Sequence, residues 1–163
     1  MHEIVLTSPS KEGIYKELIP QITSLIEDER NLIANMANIA AALHHSFDYY
    51  SWVGFYLYDE MRKDLIVGPF QGKIACTRIA VGKGVCGTSF QHRKTIIVPD
   101  VNKFPGHIFC DGDSKSEIVV PLIVNDSCIG VLDVDSYSLN SFDHTDQTYL
   151  EEIASMITKY FTL

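Results

Sequence analysis

The sequence has no excess of positive charge, no long apolar run and no closely spaced cysteine pair. Thirteen Lys and Arg stand against 21 Asp and Glu, a formal net charge of -8. That balance argues against a nucleic-acid or anionic-membrane surface and favours solubility, and no basic run offsets it. No apolar stretch reaches the roughly 18 residues needed to span a bilayer. Residues 1–6 show neither a positive n-region nor a long apolar h-region, so no secretory signal is expected and the expected setting is cytoplasmic. Stable disulfides are rare in that compartment, and the four cysteines then suggest redox or metal chemistry. They form no CxxC pair, and their spacings of 10, 24 and 18 match no common zinc-ribbon pattern. No repeat, low-complexity segment or linker is visible.

The 163 residues suit one domain with a full-sized core, and 46% hydrophobic with 21% charged residues is an ordinary globular composition. Ile14, Leu18, Ile22, Leu25 and Ile26 recur at helical spacing, with Pro20 expected to kink or divide that helix. Leu32, Ile33, Met36, Ile39, Ala40 and Leu43 mark a second helix ending near His44 and His45. The period then changes to two. Over 51–58, Trp52, Gly54, Tyr56 and Tyr58 share one face, and Val53, Phe55 and Leu57 the other. Further strands are expected over 64–70, 78–81 and 95–98, with a short helix carrying Cys86 opened by Gly82-Lys83-Gly84. Residues 100–115 read as a long irregular segment, a common place for function. A hairpin around Asn125-Asp126 joins strands 117–124 and 127–135, and a helix capped by Ser141 or Asp143 runs toward Tyr160. The order gives an α+β fold, a central antiparallel sheet with helices packed on one side.

Cys76, Cys86 and Cys110 lie beside glycine, aspartate or other turn-forming residues, where thiols ionise, attack, pair or bind metal. A sulfenic acid on one can be condensed to a disulfide by another, although spacing alone does not show which come within reach. Incidental thiols, and a metal site from His107, Cys110 and Cys76, are the alternatives. Cys128, among Ile123, Val124, Ile129 and Val131, reads as a packing residue. His44, His45, His92 and His144 have no convergent partners.

Three carboxylates stand inside otherwise apolar strands. Ile129, Val131, Asp133 and Asp135 should point one way, and the hairpin puts Glu117 opposite residue 134 or 135. Like charges so clustered repel, and something cationic should compensate. A solvated strand end, with Asp135 capping the next turn, is one reading. A cation pocket is the other, taking calcium or magnesium on oxygen ligands, or a substrate ammonium beside Trp52 and Tyr56.

The segments Gly-Lys-Gly-Val-Cys-Gly (82–87), Gly-His-Ile-Phe-Cys-Asp (106–111), Ser-Glu-Ile-Val-Val-Pro-Leu (116–122) and Gly-Val-Leu-Asp-Val-Asp-Ser (130–136), with Ser-Trp-Val-Gly-Phe-Tyr (51–56), resemble the free methionine-(R)-sulfoxide reductases, which are stand-alone GAF-domain enzymes. A generic GAF domain lacks this set of cysteines. The resemblance implies a single GAF domain over 1–163, with N-terminal helices in 1–46, sheet and active-site loops in 50–136, a long loop over the pocket, and a C-terminal helix in 141–163. It implies that Cys110 attacks the sulfoxide sulfur and becomes a sulfenic acid, that Cys76 resolves it as a disulfide, and that Cys86 resolves instead or relays. Thioredoxin would then reduce the enzyme. Glu117, Asp133 and Asp135 match acidic pocket residues that hold the ammonium or donate a proton to the sulfoxide oxygen. Trp52 and Tyr56 match the aromatic wall around the substrate methyl and thioether. Phe109 departs from the pattern, where a smaller residue is expected. The implied role is antioxidant repair of free methionine by a homodimer, without cofactor or metal.

The main rival is a small-molecule-sensing GAF module without catalysis. Asn102-Lys103-Phe104 faintly matches part of a nucleotide-binding GAF motif, but Pro105-Gly106 replaces the acidic residues that should follow. A third reading is a dimeric interaction protein that uses the N-terminal helices.

Overall fold

The computed structural model describes residues 3–160. The reading of the extreme start at Met1 and His2, and the last three residues of 141–163, lie outside the described residues. Helix α1 spans Lys11–Ile26 and buries Tyr15, Leu18, Ile22 and Ile26, one stripe at three- and four-residue spacing. Ser10 caps it by accepting from the Gly13 N–H at 3.1 Å. Pro20 lies inside an unbroken helix, on its exposed side, so it does not divide the element. Helix α2, Leu32–Ser46, is capped by Asn31 and buries Met36, Ile39, Ala40 and Leu43.

The strands are β1 (Trp52–Asp59), β2 (Asp64–Gln71), β3 (Arg78–Ala80), β4 (Ile96–Val98), β5 (Ser116–Val124) and β6 (Ser127–Ser136). They form one six-stranded antiparallel sheet in the order β3-β2-β1-β6-β5-β4. Helix α3 is Gly84–His92, and α4 is His144–Thr158. Asn125 and Asp126, with φ of 47° and 63°, make the tight β5–β6 turn, a twist that matches the right-handed twist of the strands. Asp143 caps α4 in a capping box with Asp146.

Two cores follow from the period of β1. Val53 and Phe55 face α1, α2 and α4 together with Ile118, Val120, Leu132 and Val134. Trp52 and Tyr56 face the other way with Val119, Val131, Val85 and Cys86. The three long helices therefore share one side of the sheet, and short α3 stands on the other, over the central strands. One detail differs from the expected alternation. A bulge between Leu122 and Ile123 pairs Ile123 with Cys128 and turns Ile129 toward the helix-side core, away from Val131. The helix side is pinned by Asp146, which is fully buried and accepts from Lys11 at 2.5 Å and Tyr15 at 3.0 Å. Tyr15 also hydrogen-bonds Tyr50.

Candidate active site

The sheet face opposite the long helices is where the chemistry-bearing residues meet. In the β5–β6 register Glu117 pairs with Asp135 and Val119 with Asp133. In the β1–β6 register Trp52 pairs with Asp135 and Gly54 with Asp133. All three carboxylates therefore stand beside Trp52 and Tyr56 on one patch. Gly54 makes room for the indole: a Cβ there would run into the Trp52 ring and the Phe70 Cβ. Trp52 stacks on Phe70 and Tyr56, with ring centroids 5.3 and 6.0 Å apart, and its indole N–H donates to the Lys73 carbonyl at 3.1 Å. The Tyr56 hydroxyl donates to the Cys76 carbonyl at 3.0 Å. The aromatic wall thus also holds the segment that carries a thiol.

Cys76, between β2 and β3, and Cys110, in the loop before β5, are joined as a disulfide with a Cα–Cα distance of 5.2 Å. Both lie in irregular backbone, as the sequence suggests. Cys86 is different: it sits in the first turn of α3, is 3% exposed and is free. Its thiol lies 4.0 Å from the Glu117 Oε1. Burial first, then the negative charges of Asp133 and Glu117, push that thiol well above its ordinary range. Cys86 is therefore a protonated donor in the disulfide form. Gly84 opens α3 at φ +59°, and a Cβ there would press on Ile108, so α3 and the loop pack closely. Cys128 is half-buried, its thiol 3.3 Å from the Gly130 carbonyl, which suits its packing role.

Burial dominates the electrostatics. Glu117 and Asp133 are 5% and 6% exposed. Desolvation pushes Glu117 well up, reinforced by the charges of Asp133 and Asp135. It raises Asp133 to about 6. Asp135 is also pushed well up by burial and by Asp133, against a hydrogen bond from Ser114. Among the described residues no Lys or Arg pairs with any of the three. The nearest cationic candidate is His107, whose Nδ1 lies 3.9 Å from Glu117 Oε2, and burial lowers its pKa, favouring the neutral ring. His107 Nδ1 and Asp133 Oδ1 have no hydrogen-bond partner in the protein. The charge compensation expected from the sequence is thus protons, not a protein cation. Ligand atoms of Cys86, Glu117 and Asp133 lie within 4.8 Å of one another, close enough to converge on one cation.

These residues line a cavity of about 50 Å³ beneath the loop, together with Ile108, Asp111 and Ser114. Such a volume holds on the order of three to five waters. The sequence offered His107 only as an alternative metal ligand with Cys110 and Cys76 and did not single out Asp111 as a site residue, though both flank Cys110 within three positions. Nor did it single out Lys73, which nothing in the local pattern marks. Phe109, the departure from the family pattern, points outward at 63% exposure and packs edge-on against His107 at 4.8 Å. Its bulk therefore stays outside the cavity.

The GAF domain family matches residues 31–160. A GAF domain-containing protein A of Dictyostelium discoideum is 54% identical over 155 residues, covering 95% of this chain and 97% of its own. The free methionine-R-sulfoxide reductase of Saccharomyces cerevisiae is 44% identical over 156 residues, covering 92% of this chain and 87% of its own. The solved structure of free methionine-R-sulfoxide reductase from Neisseria meningitidis, in complex with its substrate, superposes with a TM-score of 0.96 at 47% identity, covering 99% of this chain and 96% of that one. Joined with the register that gathers Glu117, Asp133 and Asp135 beside a Cys76–Cys110 pair, these likenesses make the chain a GAF-domain protein of the free methionine-R-sulfoxide reductase family.

Proposed function

We propose that this protein reduces free L-methionine-(R)-sulfoxide to methionine, with Cys110 as nucleophile and Cys76 as resolving thiol. The observation that carries the reading is the Cys76–Cys110 disulfide lying over a pocket of buried carboxylates. In the first step the Cys110 sulfur attacks the sulfoxide sulfur. The oxygen passes from the substrate sulfur to Cys110 as the S–O bond and the transient Cys110–substrate S–S bond break, so methionine leaves as the thioether and Cys110 becomes a sulfenic acid. In the second step the Cys76 thiol displaces that oxygen as water and the disulfide forms. In the third an external dithiol reduces the disulfide and is itself oxidised.

The carboxylates serve this sequence in two ways. Their raised proton affinity keeps a proton inside the pocket at neutral pH, where it can pass to the sulfoxide oxygen as it leaves. A second carboxylate, ionised, pairs with the substrate ammonium. Glu117 and Asp133 share this work: burial raises the proton affinity of both, one serving as proton donor and the other as counter-ion. Trp52 and Tyr56 form the wall for the apolar methyl and thioether. The first turn of α3 lines the cavity and lacks a side-chain cap at Lys83, so its N–H groups suit the substrate carboxylate. A peptide-linked methionine sulfoxide has no ammonium, and its binding would leave the buried carboxylates unpaired.

Thioredoxin as the dithiol, a homodimer through the N-terminal helices and a cytoplasmic setting complete the proposal. No helix among the described residues is long and apolar enough to cross a membrane. The proposal is tested by assaying methionine release from free and from peptide-linked methionine sulfoxide under a dithiol reductant. Turnover of the free form alone supports it, and equal turnover of both contradicts the ammonium-binding role.

A further inference from the structure

A second link runs beside the disulfide. Lys73 lies three residues before Cys76, and Asp111 directly follows Cys110. The Lys73 Nζ sits 2.7 Å from Asp113 Oδ2 and 3.5 Å from both Asp111 oxygens. It lies 4.9 Å from the Tyr137 ring centroid, over the face of the ring. Tyr137 follows the end of β6, and its hydroxyl donates to Asp111 Oδ2 at 2.8 Å. Asp111 Oδ1 also accepts the Asp113 N–H at 3.0 Å. The cation therefore ties the Cys76 segment to the Cys110 loop, and Tyr137 ties that loop to the sheet. The Trp52 and Tyr56 hydrogen bonds fix the backbone of residues 73 and 76 to β1.

We propose that Lys73 is a positioning residue for the resolving step, an ionic strap that keeps Cys76 beside Cys110 after the disulfide has been reduced. The inference rests on the proposed roles of Cys110 as nucleophile and Cys76 as resolving thiol. Cys76 and Cys110 are 34 residues apart in sequence. With both thiols reduced, the covalent link is gone and the two segments depend on noncovalent ties. The rate and equilibrium of ring closure then follow the effective concentration of one sulfur at the other. An exposed ion pair alone contributes little, but a network does more: here one ammonium meets two carboxylates and a ring face, and the Asp111 side chain is only 18% exposed. Loss of the Lys73 charge should lower the effective concentration by about 3- to 10-fold.

The test is the glutathione equilibrium of the pair, in which the disulfide and two glutathione thiols exchange for two cysteine thiols and glutathione disulfide. No sulfoxide is present, so the result is independent of whether the chain turns over methionine sulfoxide. Methionine release by the unmodified protein is measured separately and tests the catalytic reading. Lys73→Met keeps the aliphatic stem over Tyr137 and removes the charge. The variant should require about 3- to 10-fold less reducing glutathione conditions for half oxidation at low salt. The difference should shrink at 1 M salt, where exposed charges are screened. Lys73→Arg should restore the wild-type ratio, and Asp113→Asn should move it in the direction of Lys73→Met. After one equivalent of hydrogen peroxide, more Cys110 sulfenic acid should be captured by a dione trap in Lys73→Met. An unchanged glutathione ratio in Lys73→Met at low salt, or a change that Lys73→Arg reproduces, overturns the strap.

Discussion

Glu117 on β5 stands directly across from Asp135 on β6, and both side chains face the buried side of the sheet. Like charges at paired cross-strand positions repel, and desolvation adds to the penalty. The folded protein answers by holding protons on these groups. A site that stores protons next to a thiol pair is suited to a reaction that expels oxygen from sulfur.

That storage has a pH signature. The three carboxyls have folded pKa values above their unfolded values near 4. Their contribution to stability is fully present below about pH 4 and is lost as pH rises through the folded values. Asp133→Asn removes one such group, so the variant should be more stable than wild type at pH 8, by about 2 kcal/mol or roughly 5 °C in Tm. The two proteins should converge near pH 4.5. Thermal melts across this range check it, and a variant that is less stable at pH 8 contradicts the assignment.

Substrate binding should move protons in the opposite direction. An ammonium beside Asp133 favours its ionised form, and burial raises the Asp133 carboxyl to about 6. Binding of methionine sulfoxide to reduced Cys110→Ser between pH 5 and 7 should release a fraction of a proton to buffer. Calorimetry in buffers of different ionisation enthalpy reads this directly. An apparent enthalpy that is independent of buffer would count against the ammonium–carboxylate pairing.

Glu117→Gln and Asp133→Asn should each lower kcat/KM by about 100-fold or more, the range for loss of a general acid or a buried ionic partner. Circular dichroism should show both folded. Unchanged kinetics in both would remove the carboxylates from the mechanism.

Much of this site was legible in the sequence because its residues break a local rule. Glu117, Asp133 and Asp135 interrupt apolar strands, and the Asn125-Asp126 turn fixes their register closely enough to place them together. The period-two pattern of β1 likewise assigned Trp52 and Tyr56 to one face and Phe55 to the other. The bulge that turns Ile129 is not written in the alternation, since it is set by how the hairpin closes. Pro20 was expected to break or bend α1, but its missing N–H lies on the solvent side of a helix held by Tyr15, Leu18 and Ile22. The ties of Lys73 and the contact of His107 with Glu117 were not legible, because their partners lie 38 or more residues and 10 residues away, respectively, across loops with no periodicity.

Cys86 is the thiol whose environment differs most from that of a loop nucleophile. Burial keeps it protonated beside Glu117. Cys86→Ala should still form the Cys76–Cys110 disulfide after one equivalent of sulfoxide, as mass spectrometry of non-reduced digests will show. In Cys76→Ala the sulfenic acid should persist long enough to be trapped, and any disulfide should then involve Cys86. Failure of Cys86→Ala to close the Cys76–Cys110 pair would make Cys86 an obligatory relay.

On the far side of the sheet, Asp146 joins Lys11, Tyr15 and the N-terminus of α4. Asp146→Ala removes the buried carboxylate they share, leaving Lys11 only Asp143 and the Ser141 carbonyl and Tyr15 only Tyr50, and should cost about 3 kcal/mol in chemical denaturation. Activity per folded molecule should be retained, because the network lies behind the sheet from the thiols. A stability change below about 1 kcal/mol would show that water replaces the carboxylate without penalty.

The central claim is that Cys110 reduces the sulfoxide of a free amino acid with one handedness at sulfur. The direct measurement is methionine release from free L-methionine-(R)-sulfoxide and its S epimer, with dithiothreitol or thioredoxin as reductant, for wild type and Cys110→Ser. Turnover of the R epimer alone, lost in folded Cys110→Ser, is the expected result. Folded wild-type protein that releases no methionine from either epimer would contradict the account and leave a GAF domain that binds a ligand without reacting with it.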